Sequence, residues 1–423
     1  MLYFSFIGHY IADSLSHASF AWALISFLTV VAIGFFSASL VKIAGATDLN
    51  TKKIENDLIV SFRLAIFLGV IIVVIIAVIG TSASRSITND GELEALIALF
   101  TLSLSIPALY LQIVIFNFFN ATKKTIYEVI YTWSFNATLA SACIILVTTN
   151  TNFNFIHFAF IYSGLRLVFT CLALALFDLR IRQHIFHFSH SQPIPKTTYV
   201  NYFVNGLPMA ICFGGESLLY FIFSFISKTI GDTSLSAYQA SLHFLSFVYM
   251  ISIGVGNATG IGVARYYGLK DFNSLRATYS QGIMFGLFIL LPILVACFFL
   301  KEEISIIYSS DTTTRRLIED NILISIPFLL FEYIYVVTRM TLRSMGDFWV
   351  PTLMTILSLN ILGLILSTGL LSLHDYSVSS LFVTLVFCSL FLMLILLWRL
   401  GHVLKNSDPS INRKSKQDTK YCF

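Results

Sequence analysis

The feature that most constrains this chain is a recurrence of uninterrupted apolar blocks, such as Ala65 to Ile79. Such runs lie within apolar segments of about 20 residues, the length a helix needs to cross the hydrocarbon core of a bilayer. Composition follows from them: 57% of the residues are hydrophobic and 11% charged, against about 25% charged in an ordinary soluble domain. Backbone in lipid must satisfy its own hydrogen bonds, which leaves helices or a closed barrel. A barrel needs short alternating segments, so continuous runs select helices. Membrane segments are predicted near 1–8 (incomplete), 19–41, 57–80, 95–117, 127–147, 155–178, 203–227, 237–264, 275–300, 320–344, 350–373 and 379–402. The fold class is therefore all-α: a polytopic membrane protein of about twelve transmembrane helices, the first incomplete.

Lys and Arg in the connections set the orientation. One set of loops carries Lys42, Lys52, Lys53, Lys123, Lys124, Arg265, Lys270 and Arg343, and the tail adds Lys405, Arg413 and Lys414 to the same side. The opposite loops hold Arg85, Lys228, Lys301, Arg315 and Arg316. The basic side, with the C-terminus, is expected in the cytoplasm and the chain in the plasma (inner) membrane. The net charge of +4 is modest, and no basic stripe points to nucleic acid.

The chain repeats itself. Phe6-Ile7-Gly8 through Ile11-Ala12-Asp13 resembles Phe225-Ile226-Ser227 through Ile230-Gly231-Asp232, and Gly45-Ala46-Thr47-Asp48 resembles Gly268-Leu269-Lys270-Asp271. Repeats of this kind build transporters from two halves. We expect an N-terminal lobe over 1–190, a C-terminal lobe over 191–402 and a cytoplasmic tail over 403–423.

Charges inside membrane helices are costly and ask for a reason. Four stand out: Arg166, Glu216, Glu332 and Arg339. Glu216 closes the stretch Gly206-Leu207-Pro208 to Gly214-Gly215-Glu216. Pro208 can kink the helix, and the glycines permit close approach, so Glu216 is a candidate ion or proton site. Glu332 and Arg339 are seven residues apart, on one helix face but about 10 Å apart along the axis. That is long for an unaided pair, and Arg339 can instead snorkel toward the cytoplasmic surface. His184, His187 and His190 have helical spacing but lie in a basic loop without an acid, which favours a solvated loop over a metal site. The cysteines show no ligand spacing; Cys143, Cys171, Cys212, Cys297 and Cys388 read as small core hydrophobes. No Walker loop, nucleophile elbow or HExxH pattern appears, no segment is long enough for a nucleotide domain, and an enzyme is not indicated.

The second half resembles the multidrug and toxic compound extrusion (MATE) family, in its NorM-like branch. The resemblance rests on Gly206-Leu207-Pro208 with Glu216, on Ala237-Tyr238-Gln239, and on Glu332 followed by Leu342-Arg343-Ser344-Met345-Gly346-Asp347 and Pro351. It implies two pseudo-symmetric six-helix lobes with alternating access, and secondary active efflux of small amphipathic or cationic organic molecules by a monomer. No cofactor is implied; the coupling ion is H+ or Na+. Glu216 and Glu332 are the implied coupling acids, holding Na+ if that is the ion. Tyr220, Gln239, Phe328 and Arg339 are the expected substrate or cavity residues. Glu332 stands where the family usually has Asp, and Phe328 where a tyrosine is common. Leu109 falls opposite Glu332 in the repeat, so the carboxylate site belongs to the second lobe. Tyr3 stands where the family's first helix often has Asp, and few residues precede Gly8, so that helix is expected to be shortened. The rival reading is a flippase for a lipid-linked precursor on a related fold, which calls for several cavity cations; Arg166 and Arg339 are the candidates.

Overall fold

A computed structural model describes residues 15–45, 51–84, 90–149, 155–175, 195–309, 311–373 and 377–407. Among the described residues every regular element is helical. These are α1 (Leu15–Gly45), α2 (Thr51–Ser84), α3 (Asp90–Ser103), α4 (Ile106–Ala121), α5 (Ile126–Thr149), α6 (Phe155–Ala175), α7 (Lys196–Ile230), α8 (Asp232–Gly268), α9 (Phe272–Phe299), α10 (Lys301–Tyr308), α11 (Thr312–Ser344), α12 (Trp349–Thr355), α13 (Leu362–Leu373) and α14 (Ser379–Ser407). A π-helical turn, Ile356–Ile361, joins α12 to α13. Among the described residues eleven stretches are long and apolar enough to cross a membrane, from Leu24–Gly45 to Ser379–Asn406. They coincide with the eleven complete segments read from the sequence. The segment near 1–8, the repeat residues Phe6 to Asp13 and Ala46 to Asp48, and the histidines at 184, 187 and 190 lie outside the described residues.

The chain divides into two compact units, Met1–Ala210 and Ile211–Phe423. The division falls inside α7, whereas the sequence places the second lobe's start at 191, ahead of that helix. The first turns of α7 explain the offset. Tyr202 is fully buried in the core of the first unit, under the Lys42 ammonium 4.7 Å from its ring centre. Tyr199 accepts a hydrogen bond from Arg63 at 3.0 Å. A Cβ at Gly206 would stand 2.7 Å from the Phe35 carbonyl oxygen, so only glycine lets the two helices come that close.

In the first unit, α4 packs against α1 and α2, and α6 packs against α3, α4 and α5. In the second, α11 is central and packs against α8, α9 and α14. Tyr335 to Met345 are buried without a break, as expected of a helix enclosed by others. The motif after α11 has a structural use: Gly346 takes φ +90°, which suits a residue without Cβ. Its N–H and that of Asp347 bond the Arg343 and Leu342 carbonyls at 2.9 and 3.1 Å. Asp347 is thereby turned onto Arg399 of α14, 2.8 Å away.

Candidate functional site

Three charged side chains meet in the interior of the second unit. Glu216 comes from α7 and is 7% exposed; Glu332 and Arg339 come from α11 and are 3% and 0% exposed. Arg339 Nη1 donates to Glu216 Oε1 in a short ion pair, and Nη2 reaches Oε2 at 3.4 Å. The pair is two-pronged, the geometry a planar guanidinium favours. Nη1 also donates to the Cys212 sulfur at 3.3 Å. The Phe213 and Tyr335 rings cover the guanidinium at 5.3 and 5.6 Å. Of the two readings left open for Arg339, snorkelling does not hold, since its side chain is fully buried. The residue lies in the protein interior, one turn and more inside the end of α11, and its partner is Glu216 rather than the acid on its own helix.

Glu332 keeps one carboxylate oxygen, Oε2, without a hydrogen-bond partner. Tyr335 lies beside its carboxyl group, and Tyr220 and Tyr249 are near enough to both carboxylates to feel their charge. When all three groups are ionised, two carboxylates face one guanidinium. One negative charge is left over, and a buried charge without compensation is costly. One monovalent cation, a proton included, would balance it.

The π-helical turn adds polar groups nearby. Asn360 leaves both side-chain amide atoms, and Ser358 its hydroxyl, buried without a partner. Gly215, next to Glu216, faces that amide: a Cβ there would stand 3.2 Å from Asn360 Nδ2. Single π turns in helices often occur at functional sites.

Of the residues read from the sequence, the structure brings Glu216, Glu332, Arg339 and Tyr220 together. Phe328 lies in the unit's apolar core at 2% exposure, one turn before Glu332. Gln239 is exposed and donates to Ser224 at 3.0 Å, with no contact to the acids. Leu109 sits in the core of the first unit. Cys212, read as a core hydrophobe, is a ligand of the guanidinium. Tyr249, Tyr335 and Asn360 were not singled out; a polar residue in an apolar block was the available signal for each. Among the described residues no group of three or more His, Cys, Asp and Glu side chains is placed to hold a metal ion.

The fold defines a polytopic α-helical membrane protein with a buried acid–guanidinium cluster in its second unit. The structure aligns over 96% of the chain with an outward-facing MATE transporter of the MOP superfamily, at TM-score 0.85 and 13% identity, covering 92% of that chain. It aligns as widely with a MOP superfamily transporter from Pyrococcus furiosus, at TM-score 0.84 and 12% identity, again covering 92% of that chain. Residues 208–368 match the MatE family, and α7 from Pro208, α8, α9 and α11 lie within that stretch. The probable multidrug resistance protein NorM of Bacillus cereus is 25% identical over 211 residues, 50% of this chain and 46% of the relative. The multidrug resistance protein NorM of Vibrio vulnificus is 26% identical over 168 residues, 40% of this chain and 37% of the relative. The chain thus spans under half the length of the curated relatives it matches. By fold, and over residues 208–368 by sequence, the chain is thus similar to the MATE family and its NorM-like members.

Proposed function

We propose that this protein is a secondary active transporter that exports small organic molecules, amphipathic or cationic, in exchange for H+ or Na+. The single observation that carries this reading is the unbalanced charge of the acid cluster. Glu216 is engaged by Arg339, and Glu332 is left to take a cation. An intramembrane acid attracts protons, metal ions and organic cations alike, so coupling ion and substrate can compete for it. That competition lets an ion gradient drive efflux, provided the two conformations differ in affinity. The NorM relatives, called multidrug resistance proteins, support the substrate class.

The flippase reading loses ground. It needs free cations for a lipid pyrophosphate, and Arg339 is already neutralised by Glu216. Placement in the plasma membrane with the C-terminus inside follows from the loop charges.

The test is efflux of ethidium from vesicles holding the purified protein, with proton and sodium gradients imposed separately. Efflux driven by one of the two supports the reading. Efflux that neither gradient drives removes it.

A further inference from the structure

The first unit holds a second intramembrane charge that cation-coupled export does not use. Arg166 lies midway along the span Ile156–Ala175. Its Nη1 donates to Gln112 Oε1 and its Nη2 to the Tyr162 hydroxyl, both at 2.6 Å. Phe135 covers one face of the guanidinium at 4.0 Å. Tyr131 donates to the same Gln112 oxygen at 3.2 Å and packs edge-on against Phe169. Helices α4, α5 and α6 thus converge on one cation, and every partner is neutral. No carboxylate pairs with Arg166 among the described residues.

We propose that Arg166 is the centre of an anion-binding site in the first unit, which takes the carboxylate of a flat aromatic acid. Three observations converge on that chemistry. First, neutral oxygens supply hydrogen bonds but no counter-charge, and a mid-membrane cation without one is costly and marks a functional position by default. Second, a guanidinium carries five N–H donors. Gln112 and Tyr162 engage the two terminal nitrogens, Nε has no partner, and the side chain remains partly exposed. A planar fork with donors to spare suits a carboxylate better than it suits a point charge. Third, the Phe135 and Tyr162 rings lie over the guanidinium at 4.0 and 4.9 Å, with Tyr131 and Phe169 packed against Phe135, and a flat apolar body suits such an aromatic edge. A lone Arg, without a second cation, matches one negative charge rather than a pyrophosphate. In the second unit Glu216 neutralises Arg339; among the described residues of the first unit no carboxylate does so for Arg166.

The full chain, purified into nanodiscs of neutral lipid, is tested with 2-naphthoate and its uncharged isostere 2-naphthamide by equilibrium dialysis. The naphthoate is expected to bind and the naphthamide to bind far more weakly. Arg166→Gln should weaken naphthoate binding by about thirtyfold or more, the usual consequence of removing one partner of a charged pair. Gln112→Glu provides the independent arm. It places the chain's own carboxylate against Nη1 and should displace the naphthoate to a similar degree, and it decides the matter where Arg166→Gln does not fold. The proposal is overturned if naphthamide binds as well as naphthoate, if either folded variant keeps the wild-type affinity, or if no naphthoate is retained. Dialysis needs no gradient and no transport, so failure here leaves the efflux reading standing, and the reverse also holds.

Discussion

Arg339 and Glu216 stand 123 residues apart in sequence and form a two-pronged ion pair in the interior of the second unit. The pair makes the consequence of losing either partner lopsided. Glu216→Gln leaves a fully buried guanidinium without its counter-charge, which typically destabilises by about 3–5 kcal/mol. Glu216→Gln/Arg339→Gln removes both charges and should recover most of the loss in thermal melting of the purified protein. Single and double variants melting alike would show that the pair contributes nothing. Efflux in the double variant then isolates the chemistry of Glu216: gradient-driven efflux at the wild-type rate would strike that acid from the coupling site.

Glu332→Gln is the cleaner test of coupling. Oε2 of Glu332 has no hydrogen-bond partner to lose, so the amide should cost no more than about 1.5 kcal/mol, the net value of one hydrogen bond. The leftover negative charge disappears with the substitution. Efflux should lose its dependence on the ion gradient while the protein still melts cooperatively. Normal gradient-driven efflux in this variant would assign coupling to some other group.

The loop charges set a topology that a tag can read. A reporter active only inside the cell, fused after Phe423, is expected to give signal, and one active only outside is expected to stay silent. The reverse pattern would overturn the orientation, and with it the direction of transport.

How far the sequence led depends on the kind of information each feature needs. Membrane spans are local: length and apolarity decide them, and all eleven complete segments recur as helices. Glu216 and Glu332 were legible because a charge in an apolar block has to be explained. The partner of Arg339 was not legible. Helical periodicity says that Glu332 and Arg339 share a face, but which helix lies opposite that face is a tertiary fact. Cys212 is buried, as a small core residue should be, but its contact with Arg339 was not legible for the same reason, since sulfur in a greasy run looks the same whether it meets Leu or a guanidinium. The π turn at Ile356–Ile361 has no composition of its own. One extra residue per turn there rotates Asn360 relative to a regular helix, and spacing rules assume regularity. The division at 210 depends on which neighbours Tyr199 and Tyr202 find, which again is not local.

The N-terminus of α11 supplies a prediction outside the membrane segments. Asp311 caps that helix: its carboxylate accepts from the Thr314 backbone N–H at 3.0 Å, the Thr314 hydroxyl at 2.7 Å and the Thr313 hydroxyl at 2.5 Å. Thr313 and Thr314 hold the carboxyl well below the usual aspartate range, the Thr313 hydroxyl contributing most. A depressed folded-state value means that the charged form is the one the fold favours. Its contribution is complete above the unfolded value of about 3.9 and fades as pH falls through the folded value, where both states bind the proton. Asp311→Asn keeps a capping oxygen but no charge, and Asp311→Ala keeps neither. At pH 7 the alanine variant is expected to melt below the asparagine variant, and the asparagine variant below wild type. Below pH 4 the wild-type curve should move down toward the asparagine curve, while the gap between the two variants stays fixed. Melting measured from pH 7 to pH 3 reads the effect directly. A wild-type advantage over Asp311→Asn that does not change across that range would mean that the carboxylate's charge has no part in holding the start of α11.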